Sequence, residues 1–262
     1  MKKENFRFQA HRGDSAFYPE NTLVSYNAAV EEGYQVIEMD NKFTADNVCI
    51  CLHDGSYNRT CRYDDGTELA EKTNADALTL EQVKKLDAGL FKGEEFRGTR
   101  IPTLAEALAF LKGKNVKLKF DNVFQGFGEA RFEIFCNTIA DADMEEQVGF
   151  TCKTLPYALY LAQRFPKAEI HYDGSLTDEA LNALYKVAAG RLTLWIPYPN
   201  QATAWFKGRK ADAEFCRELH KYGNVGIWII SETEELAVAV KDFGADIIET
   251  NGAIKPTALD LI

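Results

Sequence analysis

Glu38 and Asp40 stand two residues apart in "IEMD", and His11 and Arg12 stand side by side in "AHRGD". Side chains alternate between faces along a strand, so the two carboxylates share one face. Held together they repel, and they need a cation, a shared proton or open water. A hard divalent ion with oxygen ligands suits them best, whereas the pair taken alone reads as a solvated strand end. Asp121, closing "KLKFD", supplies a third oxygen donor if strand ends converge. With no thiolate or imidazole required, the ion is Mg²⁺ or Ca²⁺. Gly13 and Asp14 are enough to turn the chain after His11 and Arg12, which add a titratable ring and a permanent cation. His53 precedes Asp54 in "CLHD". Singly these read as a surface turn and a rim histidine capped by its neighbour. Together, two imidazoles beside a metal suit proton delivery to one oxygen and removal from another, and a guanidinium fork fits a phosphate. The constellation reads as one suited to phosphodiester cleavage.

Such a site needs elements that gather strand ends. Eight short β-rich runs recur, "FRFQAH", "QVIEMD", "VKLKFD", "QVGFTC", "AEIHYD", "LTLWIP", "VGIWII" and "DIIET". Amphipathic stretches at 21–32, 103–112, 129–140, 155–164, 178–188, 213–222 and 233–243 lie between them. This alternation predicts an α/β chain folded as a (β/α)₈ TIM barrel, whose strand ends meet at one mouth. An open doubly wound sheet is the alternative, without a Gly-rich fingerprint after the first strand. After the second strand "KFTADNVCICLHD" reads as a hairpin turning at "ADN", which returns His53 to the rim held by Glu38 and Asp40. Residues 55 to about 100 read as a small insertion over the mouth, with a helical stretch at "TLEQVKKLD".

The chain of 262 residues reads as a single domain across residues 1–262. A net charge of -10 argues against nucleic acid and anionic membrane surfaces as partners, leaving a small-molecule phosphodiester drawn in locally. Self-association into a homo-oligomer stays open. The cysteines at 49, 51, 61, 136, 152 and 216 are scattered, which suggests reduced thiols in a cytoplasmic protein; zinc at Cys49 and Cys51 is the weaker alternative. No signal-like or membrane-spanning apolar run is evident, so no stable membrane insertion is expected.

"AHRGDSAFYPENT", "IEMDNKFTADNVCICLHDGSYNRT", "LTLEQVKKLDAG" and "RIPTLAEAL", in this order and spacing, resemble the glycerophosphodiester phosphodiesterase family. The resemblance is strong over residues 6–111 and continues more faintly in "VGIWIIS", with Trp228, and "GADIIETN". It implies metal-dependent hydrolysis of a glycerophosphodiester to an alcohol and glycerol 3-phosphate. His11 and His53 fall on the catalytic histidines, Arg12 on the phosphate ligand, and Glu38 and Asp40 on the metal carboxylates. The family usually ends the next barrel strand with a glutamate and, two residues on, a lysine that contacts phosphate; Asp121 and Val123 stand there. Lys119 either reaches toward substrate or is an interior lysine paired with a carboxylate. His171 and Asp173 face the interior, to read a polar substrate group or to satisfy each other. These departures keep two alternatives open: a divergent relative acting on another phosphodiester or sugar ligand, and a non-catalytic binding module.

Overall fold

The computed structural model describes residues 5–201 and 208–262. In chain order its strands are β1 (Arg7–Ala10), β2 (Val36–Met39), β3 (Asn41–Phe43), β4 (Cys49–Cys51), β5 (Lys117–Phe120), β6 (Val148–Cys152), β7 (Glu169–Tyr172), β8 (Leu192–Pro197), β9 (Asn224–Trp228) and β10 (Ile247–Thr250). Strands β3 and β4 form the antiparallel hairpin, with Asn41 opposite Cys51. The other eight are parallel and close into a barrel, β1-β2-β5-β6-β7-β8-β9-β10 and back to β1. Closure excludes the open sheet. The helices are α1 (Leu23–Glu31), α2 (Leu80–Val83), α3 (Leu104–Leu111), α4 (Glu129–Asp141), α5 (Leu155–Arg164), α6 (Asp178–Ala188), α7 (Ala213–Leu219) and α8 (Thr233–Lys241). The chain is a (β/α)₈ barrel, and each of the eight expected strands is present.

The two faces of the strands divide by period. Phe8, Ala10, Ile37, Met39, Leu118, Phe120, Phe150, Ile170, Leu194 and Ile248 point outward and join the main apolar core under the helices. The alternate positions Gln9, Glu38, Lys119, Thr151, His171, Trp195 and Glu249 are equally buried and mostly polar. A barrel interior of this kind has to be satisfied by pairing, and it leads upward into the mouth.

Local signals set the boundaries. Thr22, Thr79 and Thr103 each cap a helix in a reciprocal capping box, with Ser25, Gln82 and Glu106 returning the contact. The insertion carries its own apolar cluster, in which Tyr57, Cys61, Leu69, Val83 and Leu86 pack on Ile50 and Leu52 of the hairpin side. It is therefore anchored to β4 rather than draped loosely. Lys92 Nζ donates to Ser15 O at 2.7 Å, tying the insertion to the loop after β1. All six cysteines are free and buried. Burial pushes the Cys49 and Cys51 thiols up, which disfavours the thiolate that zinc needs. Among the described residues, no helix is long and apolar enough to cross a membrane.

Candidate active site

A cavity of about 530 Å³ opens at the C-terminal ends of the barrel strands, lined by His11, Arg12, Glu38, Asp40, His53 and Asp121 among others. Its first wall is the turn after β1. Arg12 has φ +58° and Gly13 φ +81°, both left-handed. A Cβ on Gly13 would lie 2.5 Å from Ser25 Oγ, so the glycine lets the turn press against α1. That pressed turn aims the Arg12 N–H at Glu38 Oε2, 2.8 Å away. The guanidinium lies 3.3 Å from Asp40 Oδ2 and donates to Glu20 Oε1 at 3.2 Å. The His11 ring places Nδ1 2.6 Å from Asn251 Oδ1, leaving Nε2 for chemistry.

The opposite wall is the hairpin exit. His53 Nδ1 is 2.6 Å from Asp54 Oδ1. Hydrogen bonds from Arg59, then from His53, hold Asp54 at about 2, so it stays ionised throughout the working range. Arg59 also forks onto both oxygens of Glu20 at 2.7 Å. Glu20 thus sits between Arg59 and Arg12, and the two walls are joined through one carboxylate. The motif segments contained Glu20, Asn21 and Arg59 without revealing their roles. Asn21, with φ +55°, donates through Nδ2 to Asp40 Oδ2 at 2.9 Å and accepts the Asp40 N–H at 3.1 Å.

Glu38 and Asp40 are each 2% exposed. Burial, and after it the charges of Asp40, Asp121 and Glu249, pushes Glu38 well above the usual carboxylate range. Burial and Asp40 raise Asp121 as well. Such buried, mutually repelling hard oxygens fit a divalent cation in kind. Arg12 now occupies Glu38 and Asp40, and among the described residues no three acidic, histidine or cysteine side chains form a ready metal shell.

Lys119 is an interior lysine paired with a carboxylate, Nζ lying 3.3 Å from Glu249 Oε2, and it also lines the cavity. Burial pushes Glu249 up, but Lys119, His11 and Arg12 prevail and hold it low. Gln9 Nε2 donates to the same Glu249 oxygen. Trp228 lines the cavity. His171 does not, which corrects its placement as a substrate ligand. Its ring is 1% exposed, with Nδ1 accepting from Trp195 Nε1 at 2.9 Å and Nε2 3.3 Å from Glu169 Oε2. Nor is it paired with Asp173, whose Oδ2 accepts from Asn122 Nδ2 at 2.9 Å. Val123 is not among the lining residues, but Lys153, one strand further on, is. The Thr151–Lys153 spacing, repeating that of Glu38–Asp40, was the available signal.

Burial pushes His171 down to about 4, against an unfolded value near 6.5. Between these values the unfolded chain binds more protons, so stability is intact above about 6.5 and is lost as pH falls toward 4. Urea unfolding should therefore show about 2–3 kcal/mol less stability at pH 4.5 than at pH 7 from this group. The pH slope should flatten by that amount in His171→Asn; an unchanged slope would refute the assignment.

Residues 11–131 match the model of the Glycerophosphoryl diester phosphodiesterase family. A glycerophosphodiester phosphodiesterase of Caldanaerobacter subterraneus is 39% identical over 118 residues, 42% of this chain and 44% of that protein. Over this stretch the chain is similar to that family. Glycerophosphodiester phosphodiesterase 1 of Homo sapiens is 32% identical over 154 residues, 58% of this chain and 43% of that protein. These matches span less than half the length of either relative. Among solved structures, a glycerophosphoryl diester phosphodiesterase from Parabacteroides distasonis superposes with TM-score 0.72 at 20% identity, covering 98% of this chain and 86% of that one. A phosphodiesterase from Oleispira antarctica, in complex with the product sn-glycerol-3-phosphate, gives TM-score 0.70 at 20% identity, covering 94% and 93% of the two chains. The barrel fold shared with these structures thus extends through β6–β10, beyond residue 131 where the family match by sequence ends.

Proposed function

We propose that the chain hydrolyses a glycerophosphodiester to an alcohol and glycerol 3-phosphate. The observation that carries this reading is the meeting of His11, His53 and Arg12 with Glu38, Asp40 and Asp121 in one cavity at the barrel mouth. The product bound by the Oleispira antarctica relative supports the same half-substrate here. Glu38, Asp40 and Asp121 would hold a divalent ion, Mg²⁺ or Ca²⁺, which when bound neutralises phosphate charge and polarises the P–O bonds. Arg12 and Lys119 supply fixed positive charge at the phosphate, and Trp228 forms apolar wall.

The two histidines differ in what stands behind them. Asn251 is neutral and fixes the His11 tautomer, so Nε2 of His11 suits the base that removes a proton from the attacking hydroxyl. Asp54 is ionised and its oxygen orients the His53 ring through Nδ1, so Nε2 of His53 suits the acid that protonates the departing alkoxide. If the glycerol's neighbouring hydroxyl attacks phosphorus, the alcohol leaves and a cyclic phosphate forms. Water then opens it as the two histidines exchange roles, and no proton is left over. The test is a panel of glycerophosphodiesters followed by ³¹P NMR for glycerol 3-phosphate, and absence of turnover across the panel would refute the reading.

The cation just after β6, in place of one after β5, favours a shifted head-group preference as the second reading. Lys153→Ala should raise KM about tenfold for an anionic head group and less for a neutral one, consistent with loss of one charge-assisted contact. Equal KM changes across head groups would exclude Lys153 from selecting them.

A further inference from the structure

His171 and Trp195 occupy adjoining strands with ring centroids 6.0 Å apart, and the barrel makes room for both. A Cβ on Gly226 of β9 would lie 2.5 Å from Trp195 Cδ2, and one on Gly149 of β6 would lie 2.7 Å from His171 Nε2. Side chains at these glycines would displace the rings, so the pair is a built feature. The indole N–H donates to His171 Nδ1 at 2.9 Å. A proton on Nδ1 would set N–H against N–H, so the neutral ring carries its proton on Nε2, facing Glu169 Oε2 at 3.3 Å. Glu169 is held in turn by Arg7 Nη1 at 2.8 and 2.9 Å. Burial alone would push Glu169 up, but His171 and Arg7 hold it at about 2.

Trp195 lines the catalytic cavity, and Lys119 Nζ lies 4.2 Å from its ring centroid while reaching Glu249 Oε2 at 3.3 Å. Two attractions therefore share one ammonium: the carboxylate draws it aside, and the indole face holds it over the ring. If the indole turned away, Lys119 would be left to Glu249 alone and its charge would be spent within that pair.

We propose that His171 is a positioning residue, which fixes the Trp195 indole and so keeps the Lys119 ammonium at the cavity floor, where the phosphate-bearing half of the substrate is received. This rests on the phosphodiesterase reading above. It predicts that His171→Leu raises KM about tenfold while kcat changes less than about threefold, the pattern of a lost ground-state contact. His171→Asn, which keeps an acceptor oxygen near the place of Nδ1, recovers most of that loss. In a Lys119→Met background His171→Leu adds no further increase in KM, because its effect passes through the lysine. The Trp195 indole ¹H–¹⁵N signal, assigned by its disappearance in Trp195→Phe, shifts in His171→Leu and returns toward its original position in His171→Asn.

An unchanged KM in His171→Leu, or an increase that persists undiminished in the Lys119→Met background, overturns the proposal. If His171→Leu does not fold, Trp195→Phe takes its place, since it keeps a ring but loses the N–H; an unchanged KM there overturns it equally. A wild-type chain inactive on every diester refutes the phosphodiesterase reading instead. The positioning role is then decided by calorimetry with inorganic phosphate, which wild type must bind more tightly than His171→Leu.

Discussion

His11→Ala and His53→Ala should each lower kcat on a glycerophosphodiester by about 10²–10⁴-fold, the usual worth of a positioned proton transfer. Neither change should unfold the protein. Both rings line the open mouth, and the His53 side chain keeps 38% of its surface exposed. The two losses should differ in kind. A p-nitrophenyl ester leaves without a proton, so the deficit of His53→Ala should shrink on that substrate while that of His11→Ala persists. Near-normal kcat in either variant, with an alkyl alcohol as leaving group, would remove that histidine from the mechanism. A deficit of His11→Ala that shrinks instead would exchange the two roles.

The fold was legible because the strands announce themselves by β-branched and aromatic runs, and the helices between them begin at polar caps such as Thr22 and Thr103. The pairs at strand ends were legible because period two places Glu38 with Asp40 and Lys119 with Asp121 on one face. Period two also put His171 on the inner face, where it is. It gave no depth, and an inward side chain below the mouth meets its neighbours rather than a ligand. The ring contacts Glu169, two residues back on the same face of β7, and Trp195, 24 residues on, which only the pairing of β7 with β8 brings to it. Glu20 and Asn251 escaped for the same reason. Their partners Arg59 and His11 are 39 and 240 residues away; the first contact needs the insertion to fold back beside the loop after β1, and the second needs β10 to close onto β1.

Turnover should stop when divalent metal is removed by EDTA and return on addition of Mg²⁺ or Ca²⁺. The argument is electrostatic. Glu38, Asp40, Asp121 and Glu249 crowd the cavity, and the nearby cations Arg12 and Lys119 leave Glu38 still pushed well above its ordinary range. A bound ion relieves that repulsion only in the folded chain, so it should also raise thermal stability, by about 2.7 kcal/mol at a hundred times its Kd. This second readout does not depend on activity. Glu38→Gln keeps an oxygen for the Arg12 N–H while deleting one of the crowded charges. It should be at least as stable as wild type in EDTA, yet gain little from added ion and turn over poorly. Full activity after metal analysis has confirmed removal would refute metal dependence and leave the phosphate to Arg12, Lys119 and Lys153. Stabilisation of Glu38→Gln by the ion to the full wild-type extent would move the metal away from β2.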